Sequence, residues 1–247
     1  MKTIIKNIPN FLTILNMLSG SVAIVFAATG NLYLAGVLVA VAAIFDFIDG
    51  LSARLLGTVS SIGKQLDSLA DIVSFGLAPA FILHIFLKKM ILPLSGYLTT
   101  DFMHLGIPEL FLIFSPFLLT LFASLRLAKF NISTTQHHVF SGLPVPASAL
   151  FFVFAVMNLE NFSTNAFYIH EVHWVVLIIL FSSLMVVPFP MFSLKFEHYR
   201  WRGNEIPYIF VGISAILLVT LQTLGISLIV ILYIFLSGLM NVLHINK

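Results

Sequence analysis

Charge is what this chain has least of. Only 9% of its 247 residues are Asp, Glu, Lys or Arg, whereas a soluble domain carries about 25%. So little charge cannot cover a water-facing surface, which excludes an ordinary soluble globule. Cysteine is absent, so disulfide scaffolds, thiolate nucleophiles and thiolate metal sites are excluded as well. The formal net charge is only +2, too small a basic excess for a nucleic-acid-binding surface. There is no low-complexity tract and no internal repeat. What the chain has instead is apolar bulk, 60% of its residues, with 25 phenylalanines among them. Those rings suit lipid-facing and packing positions.

The apolar residues fall into eight segments of about the length a bilayer core demands. They run roughly over 11–29, 32–54, 66–87, 108–130, 143–159, 173–192, 206–222 and 224–243. The fifth is short, and almost nothing separates the seventh from the eighth, so a count of seven stays open. The first follows Lys2 and Lys6 and, with about 18 apolar residues, exceeds the core of a secretory signal. It reads as a retained helix. Gly30-Asn31 predicts a tight turn, Pro144 and Pro146 a helix start, and Pro188 and Pro190 a helix end or kink. The expected fold is an all-α integral membrane protein with about eight transmembrane helices, treated as one domain.

The basic residues orient it. With the N-terminus in the cytoplasm, that side holds Lys2, Lys6, Arg54, Lys64, Arg126, Lys129, Lys195, Arg200, Arg202 and Lys247, and the other side only Lys88 and Lys89. This positive-inside bias predicts both termini, and the turn between Arg54 and Lys64, on the cytoplasmic face of a cell inner or plasma membrane.

The aspartates are more telling than the lysines. The chain has five, and Asp46, Asp49, Asp67 and Asp71 lie within 26 residues, while Asp101 falls in a polar connection. Carboxylates between apolar segments are costly and mark functional sites by default. Asp46, Asp49, Gly50 and Ala53 follow i, i+3, i+4, i+7 and share one helical face; Gly63, Asp67 and Asp71 follow i, i+4, i+8 and do the same. Two antiparallel helices would bring these stripes together, with Gly50 and Ala53 admitting a bulky group between the acids. Oxygen ligands without histidine or cysteine suit Mg²⁺, Mn²⁺ or Ca²⁺. Four carboxylates exceed the needs of one ion and would serve two, an arrangement common in phosphoryl chemistry. The bland alternative makes Asp67 or Asp71 helix-terminus acids and the rest salt-bridge partners, but Arg54 and Lys64 are too few to pair with four. A cation-transport path is a further alternative. It explains the acids but not Gly50, Ala53 and Gly63 at fixed spacing. His137-His138 reads as part of a solvated loop near the site, and His170 and His173 as far-side residues.

The pattern Asp46-x2-Asp49-Gly50-x2-Ala53-Arg54-x8-Gly63-x3-Asp67-x3-Asp71 resembles, at all eight positions, the signature of the CDP-alcohol phosphatidyltransferase family. The run Gly63 to Ala80, the stretches Arg126-Leu127-Ala128-Lys129-Phe130-Asn131 and Gly142-Leu143-Pro144-Val145-Pro146-Ala147, and Asn10, Thr13, Asn16 and Gly20 near the start look like its membrane-embedded, serine-using branch. The resemblance implies a six-helix core over residues 1–190, with 191–247 adding a cytoplasmic loop and two more helices. It implies transfer of a phosphatidyl group from CDP-diacylglycerol to the hydroxyl of L-serine, with CMP released, by a homodimer. By the same resemblance Asp46, Asp49, Asp67 and Asp71 hold two divalent cations and Asp71 is the general base. Gly50, Ala53, Arg54 and Gly63 bind the CDP moiety, and Asn10 and Thr13 are further candidates for cytidine contacts. Arg126 and Lys129 are candidates for a phosphate or carboxylate clamp, with a positive-inside anchor as the plainer role. Glycerol 3-phosphate or inositol phosphate as acceptor would want a denser basic pocket than Arg54, Lys64, Arg126 and Lys129 provide.

Overall fold

The computed structural model describes residues 7–58, 60–92, 105–132, 140–161, 170–192 and 204–243. Lys2, Lys6, Asp101, His137, His138, Lys247 and the charged connection 193–203 lie outside the described residues.

Helix α1 (Ile8–Ala28) starts with Pro9 in its first turn, where a missing N–H costs nothing. Gly30, at φ 84°, makes the predicted turn, and the Asn31 side chain accepts from Leu34 N at 3.0 Å to start α2 (Leu32–Leu55). The two helices pack along their lengths as an antiparallel pair. The buried stripe of α1 is Thr13, Asn16, Gly20, Ala23 and Ala27, small side chains that let backbones approach closely, as in membrane helix packing generally. Large apolar residues such as Phe11, Val25 and Ile44 stay exposed on these two helices, as a lipid-facing side requires.

Helix α3 (Ser61–Asp71) is capped by Ser60, whose hydroxyl accepts from Gly63 N at 3.0 Å. The chain then widens into a π-helical stretch, Ile72–Leu77, before continuing as α4 (Ala78–Ile91). The whole run 61–91 is long and apolar enough to cross a membrane, as are α1, α2 and the C-terminal helical stretch. Helices α5 (Ile107–Phe114) and α6 (Phe117–Ile132) form one more candidate span, bent by 45° at Ser115-Pro116. His84 Nδ1 donates to the Ile113 carbonyl at 2.7 Å beside that bend, enclosed by the rings of Phe81, Phe114 and Phe117. Helices α7 (Val145–Asn161) and α8 (Glu171–Val186) are shorter and apolar. They bury Phe152 and Trp174 against α4, and the ammonium of Lys89 meets Glu160 at 2.6 Å where α4 and α7 end.

The last stretch, α9 (Glu205–Val242), is helical throughout except at Gln222 (φ 48°, ψ −118°). A Cβ on Gly225 would fall against the backbone of Leu217 and Leu218. Eight residues of straight helix would separate these positions by about 12 Å, so the chain doubles back at Gln222. The predicted segments 206–222 and 224–243 are the two arms. The second arm lies on α7, with Ser227 Oγ donating to the Phe151 carbonyl at 3.0 Å and Thr223 to Asn158 at 3.0 Å. Two-residue strands, Phe140–Ser141 and Pro190–Met191, pair antiparallel, and every other described element is helical. The protein is an all-α membrane protein. Four expected segments differ in detail. The third starts earlier and contains the π stretch, the fourth is bent at Pro116, which has no N–H to continue the ladder, and the seventh and eighth share a one-residue corner.

Candidate active site

The end of α2 and the whole of α3 bring the acids together. Asp46, Asp49 and Asp67 each offer a carboxylate oxygen within 4.8 Å of the other two. Asp71, one turn beyond Asp67 and at the threshold of the π stretch, contacts the carboxyl of Asp46. It is buried, and its Oδ1 has no hydrogen-bond partner in the protein. Asp67 and Asp71 lie well inside a helix whose N-terminus Ser60 already caps, which removes the helix-terminus account of them. Among the described residues no cation forms a salt bridge within 4.0 Å of these carboxylates. Three hard oxygen donors at this spacing fit a divalent ion and do not fit zinc's usual sulfur and nitrogen set.

Helix α1 holds the acidic corner in shape. Thr13 Oγ1 lies 2.7 Å from Asp49 Oδ2 and 3.0 Å from the Pro9 carbonyl of its own helix. A Cβ on Gly63 would meet Asn10 Oδ1 and Ser60 Oγ, each at 3.0 Å, so this glycine lets α1 lie against α3. Ser74, in the π stretch, donates to the Asn16 carbonyl at 3.0 Å. A π segment beside a functional group is a frequent association.

These elements enclose a cleft of about 420 Å³ whose walls include Asp46, Asp49 and Asp67, together with Asn10, Thr13, Gly50, Ala53, Arg54 and Gly63. All nine were singled out in the sequence. A Cβ on Gly50 would meet nothing within 4 Å, so this glycine opens directly onto the cleft. Arg54 is steadied by its Nε donating to the Gly50 carbonyl at 3.0 Å. Lys64, counted among the few basic residues available to the pocket, also lines the space, as do Ser60 and Phe47, which were not picked as site residues. Lys64 Nζ donates to the Asn131 carbonyl at 3.3 Å and lies 5.6 Å from the centre of the Phe130 ring.

Asp71, Arg126 and Lys129 are not among the cleft walls. Lys129 is exposed in the last turn of α6. Arg126 is half-buried. Its guanidinium interacts electrostatically with Asp71 and Tyr233, and its Nε is enclosed without a protein partner. Thr13, expected beside a nucleotide, gives its hydroxyl to Asp49. Sequence spacing carried no sign of that bond, because it joins helices 36 residues apart.

These features define a helical membrane protein with a carboxylate-walled cleft that is opened by glycine and fits a divalent ion. Residues 6–187 match the model of the CDP-alcohol phosphatidyltransferase family, and the chain is a member of it. It is 32% identical over 181 residues to the archaetidylserine synthase of Methanothermobacter thermautotrophicus, covering 72% of this chain and 66% of that protein. It is 36% identical over 157 residues to a CDP-diacylglycerol–serine O-phosphatidyltransferase of Helicobacter pylori strain J99, covering 62% and 58%. A protein of the same name from Methanocaldococcus jannaschii is 31% identical over 193 residues, covering 77% of each chain. The chain thus spans just under two thirds of the first of these relatives and less of the second.

Proposed function

We propose that the protein transfers the phosphatidyl group of CDP-diacylglycerol to the hydroxyl of L-serine, giving phosphatidylserine and CMP. The observation that carries this reading is the cleft itself, in which three convergent carboxylates, an open glycine and two basic side chains share one space. The names of the relatives supply the acceptor. Divalent cations, Mg²⁺ or Mn²⁺ and two in number, held by Asp46, Asp49, Asp67 and Asp71, would offset the charge of the pyrophosphate and of the departing phosphate.

The chain's own residues have the following parts. Gly50 and Ala53 admit the nucleotide, and Arg54 and Lys64 offer positive charge to its phosphates. Asn10 lines the same wall. Asp71 takes the proton of the serine hydroxyl as its oxygen attacks the lipid-side phosphorus. The bond from that phosphorus to the CMP oxygen breaks, and CMP leaves with the electron pair. Arg126, beside Asp71, faces the acceptor's carboxylate. The core spans residues 1–190, and the hairpin of α9 buttresses α7. The enzyme sits in the lipid bilayer of the cell membrane, its cleft and termini facing the cytoplasm, and works as a homodimer.

The test is CMP release by purified protein with CDP-diacylglycerol and Mn²⁺ or Mg²⁺, supplied with L-serine, glycerol 3-phosphate, inositol phosphate or no acceptor, beside Asp71→Asn. Serine-dependent release that the variant loses is the expected result. Release with another acceptor would move the acceptor assignment, and folded protein that releases nothing would favour cation transport.

A further inference from the structure

Beside the cleft the structure holds a second group of enclosed polar atoms, one of which, the Asn16 amide, has no part in the proposed roles. Asn16 is fully buried, at 0% exposure, yet neither Oδ1 nor Nδ2 of its amide has a hydrogen-bond partner among the described residues. Buried amides are nearly always satisfied, because leaving both ends bare is costly. Asp71 Oδ1 and Arg126 Nε are enclosed and unpartnered too.

These groups share a level. The run 61–91 and α1 are both antiparallel to α2, so they point the same way. Gly20 stands against Ser74, where a Cβ would come 2.6 Å from the Ser74 Cα, and the Asn16 carbonyl takes the Ser74 hydroxyl. Asn16 lies one turn before Gly20, about 6 Å back along the axis, and Asp71 lies three residues before Ser74, about 4.5 Å back. The π stretch packs on α1 and also on α6, which carries Arg126. Asp71 therefore lies near the level of Asn16 on α1 and within electrostatic reach of Arg126 on α6. Asp46 and Thr13 line the nucleotide cleft, whereas Asn16, Asp71 and Arg126 do not.

We infer that Asn16 is an acceptor-specificity residue, whose amide oxygen receives the ammonium group of an amino-acid acceptor held between α1 and α6 against Asp71. The inference rests on the amino-acid acceptor of the proposed reaction and adds to it the residue that reads the amino group. The chemistry matches in kind. An amino acid brings an N–H donor for Asn16 Oδ1 and, one carbon away, a carboxylate for Arg126, while its hydroxyl is left to Asp71. A site built to pair with an N–H discriminates strongly against an analogue that lacks it, since its own polar atom is then stranded.

The experiment compares L-serine with 3-hydroxypropionate, which keeps the hydroxyl and carboxylate and lacks the amino group, as substrate or competitive inhibitor. The full chain is used in detergent with CDP-diacylglycerol and Mn²⁺. In Asn16→Leu, which fills the same space without hydrogen-bonding atoms, the preference for serine over the deamino compound should fall at least about tenfold. The KM for CDP-diacylglycerol should stay within about twofold, and the melting temperature should not drop, because two stranded polar atoms are replaced by an apolar group of like shape. Asn16→Asp, which keeps an oxygen at that place, should retain more of the preference than Asn16→Leu. Equal slowing with both compounds, or an unchanged preference, overturns the inference while leaving the serine reaction standing. A wild-type protein that shows no serine-dependent CMP release overturns the proposed function and this inference with it.

Discussion

Thr13 Oγ1 stands 2.7 Å from Asp49 Oδ2, joining the first helix to the acidic corner of the second. Both residues are buried, at 4% and 5% exposure, on the wall of the cleft. A carboxylate that must grip a cation is oriented by such a neighbour, and losing it typically weakens metal binding about 10- to 100-fold. Thr13→Val keeps the shape and removes the donor. The Mn²⁺ concentration that half-restores CMP release after chelation should rise by a factor in that range, while Thr13→Ser stays near wild type. An unchanged Mn²⁺ requirement in folded Thr13→Val would show that the hydroxyl serves α1 alone, through the Pro9 carbonyl.

Two glycines should separate stability from activity. A Cβ on Gly20 would come 2.6 Å from the Ser74 Cα, whereas a Cβ on Gly50 would meet nothing within 4 Å. Gly20→Ala must push two helices apart and should cost about 1–3 kcal/mol, read as a lower melting temperature in detergent. Gly50→Ala sits in the interior of α2, where alanine is favoured by about 1 kcal/mol, so stability should hold or rise while affinity for CDP-diacylglycerol falls. Equal melting temperatures for both variants and wild type would mean that α1 and the π stretch are not in the close contact described.

How far the sequence could see is clearest at these same positions. The face shared by Asp46, Asp49, Gly50 and Ala53 follows from a 3.6-residue period, and the cleft walls repeat it. The near-absence of a spacer between residues 222 and 224, which left a count of seven open, falls at the corner at Gln222. Periodicity says nothing about which helix rotates against which. The bond from Thr13 to Asp49, the enclosure of Arg126 beside Asp71 and the seat of His84 under the bend at Pro116 all depend on tertiary packing. The π stretch is hidden for a related reason. Ile72 to Leu77 has an ordinary helical composition, and the bonds that tie it to its neighbours, from Ser74 to the Asn16 carbonyl of α1 and from Thr120 of α6 to the Gly76 carbonyl, each 3.0 Å, join residues far apart in sequence.

The tie between α3 and α6 offers a test of how Asp67 is held. Asn131 Nδ2 donates to Ser68 Oγ at 2.9 Å, and Lys64 Nζ donates to the Asn131 carbonyl at 3.3 Å. Ser68 adjoins Asp67. Asn131→Ala should remove about 1 kcal/mol of stabilisation and speed amide exchange within residues 61–71, with CMP release lowered in step. Unchanged exchange across those residues would mean that α1 alone fixes α3.

Orientation in the membrane can be tested because the chain has no cysteine, so a single introduced thiol reports one place. Leu56 sits in the turn after α2, at 40% exposure, beside the cleft. Ile107 opens α5 at 84% exposure and begins a span that ends, across the bend, near Arg126 and Lys129. Lys88 and Lys89 belong to the same side as Ile107, against a larger number of basic residues opposite. The positive-inside rule expects Leu56 on the cytoplasmic side and Ile107 on the other. In intact cells stripped of their outer envelope, a membrane-impermeant maleimide should label Ile107→Cys and spare Leu56→Cys. Breaking the membrane should make Leu56→Cys reactive. The reverse pattern would put the acidic cleft outside, away from any cytoplasmic supply of nucleotide-linked lipid precursor, and the proposed reaction would lose its setting.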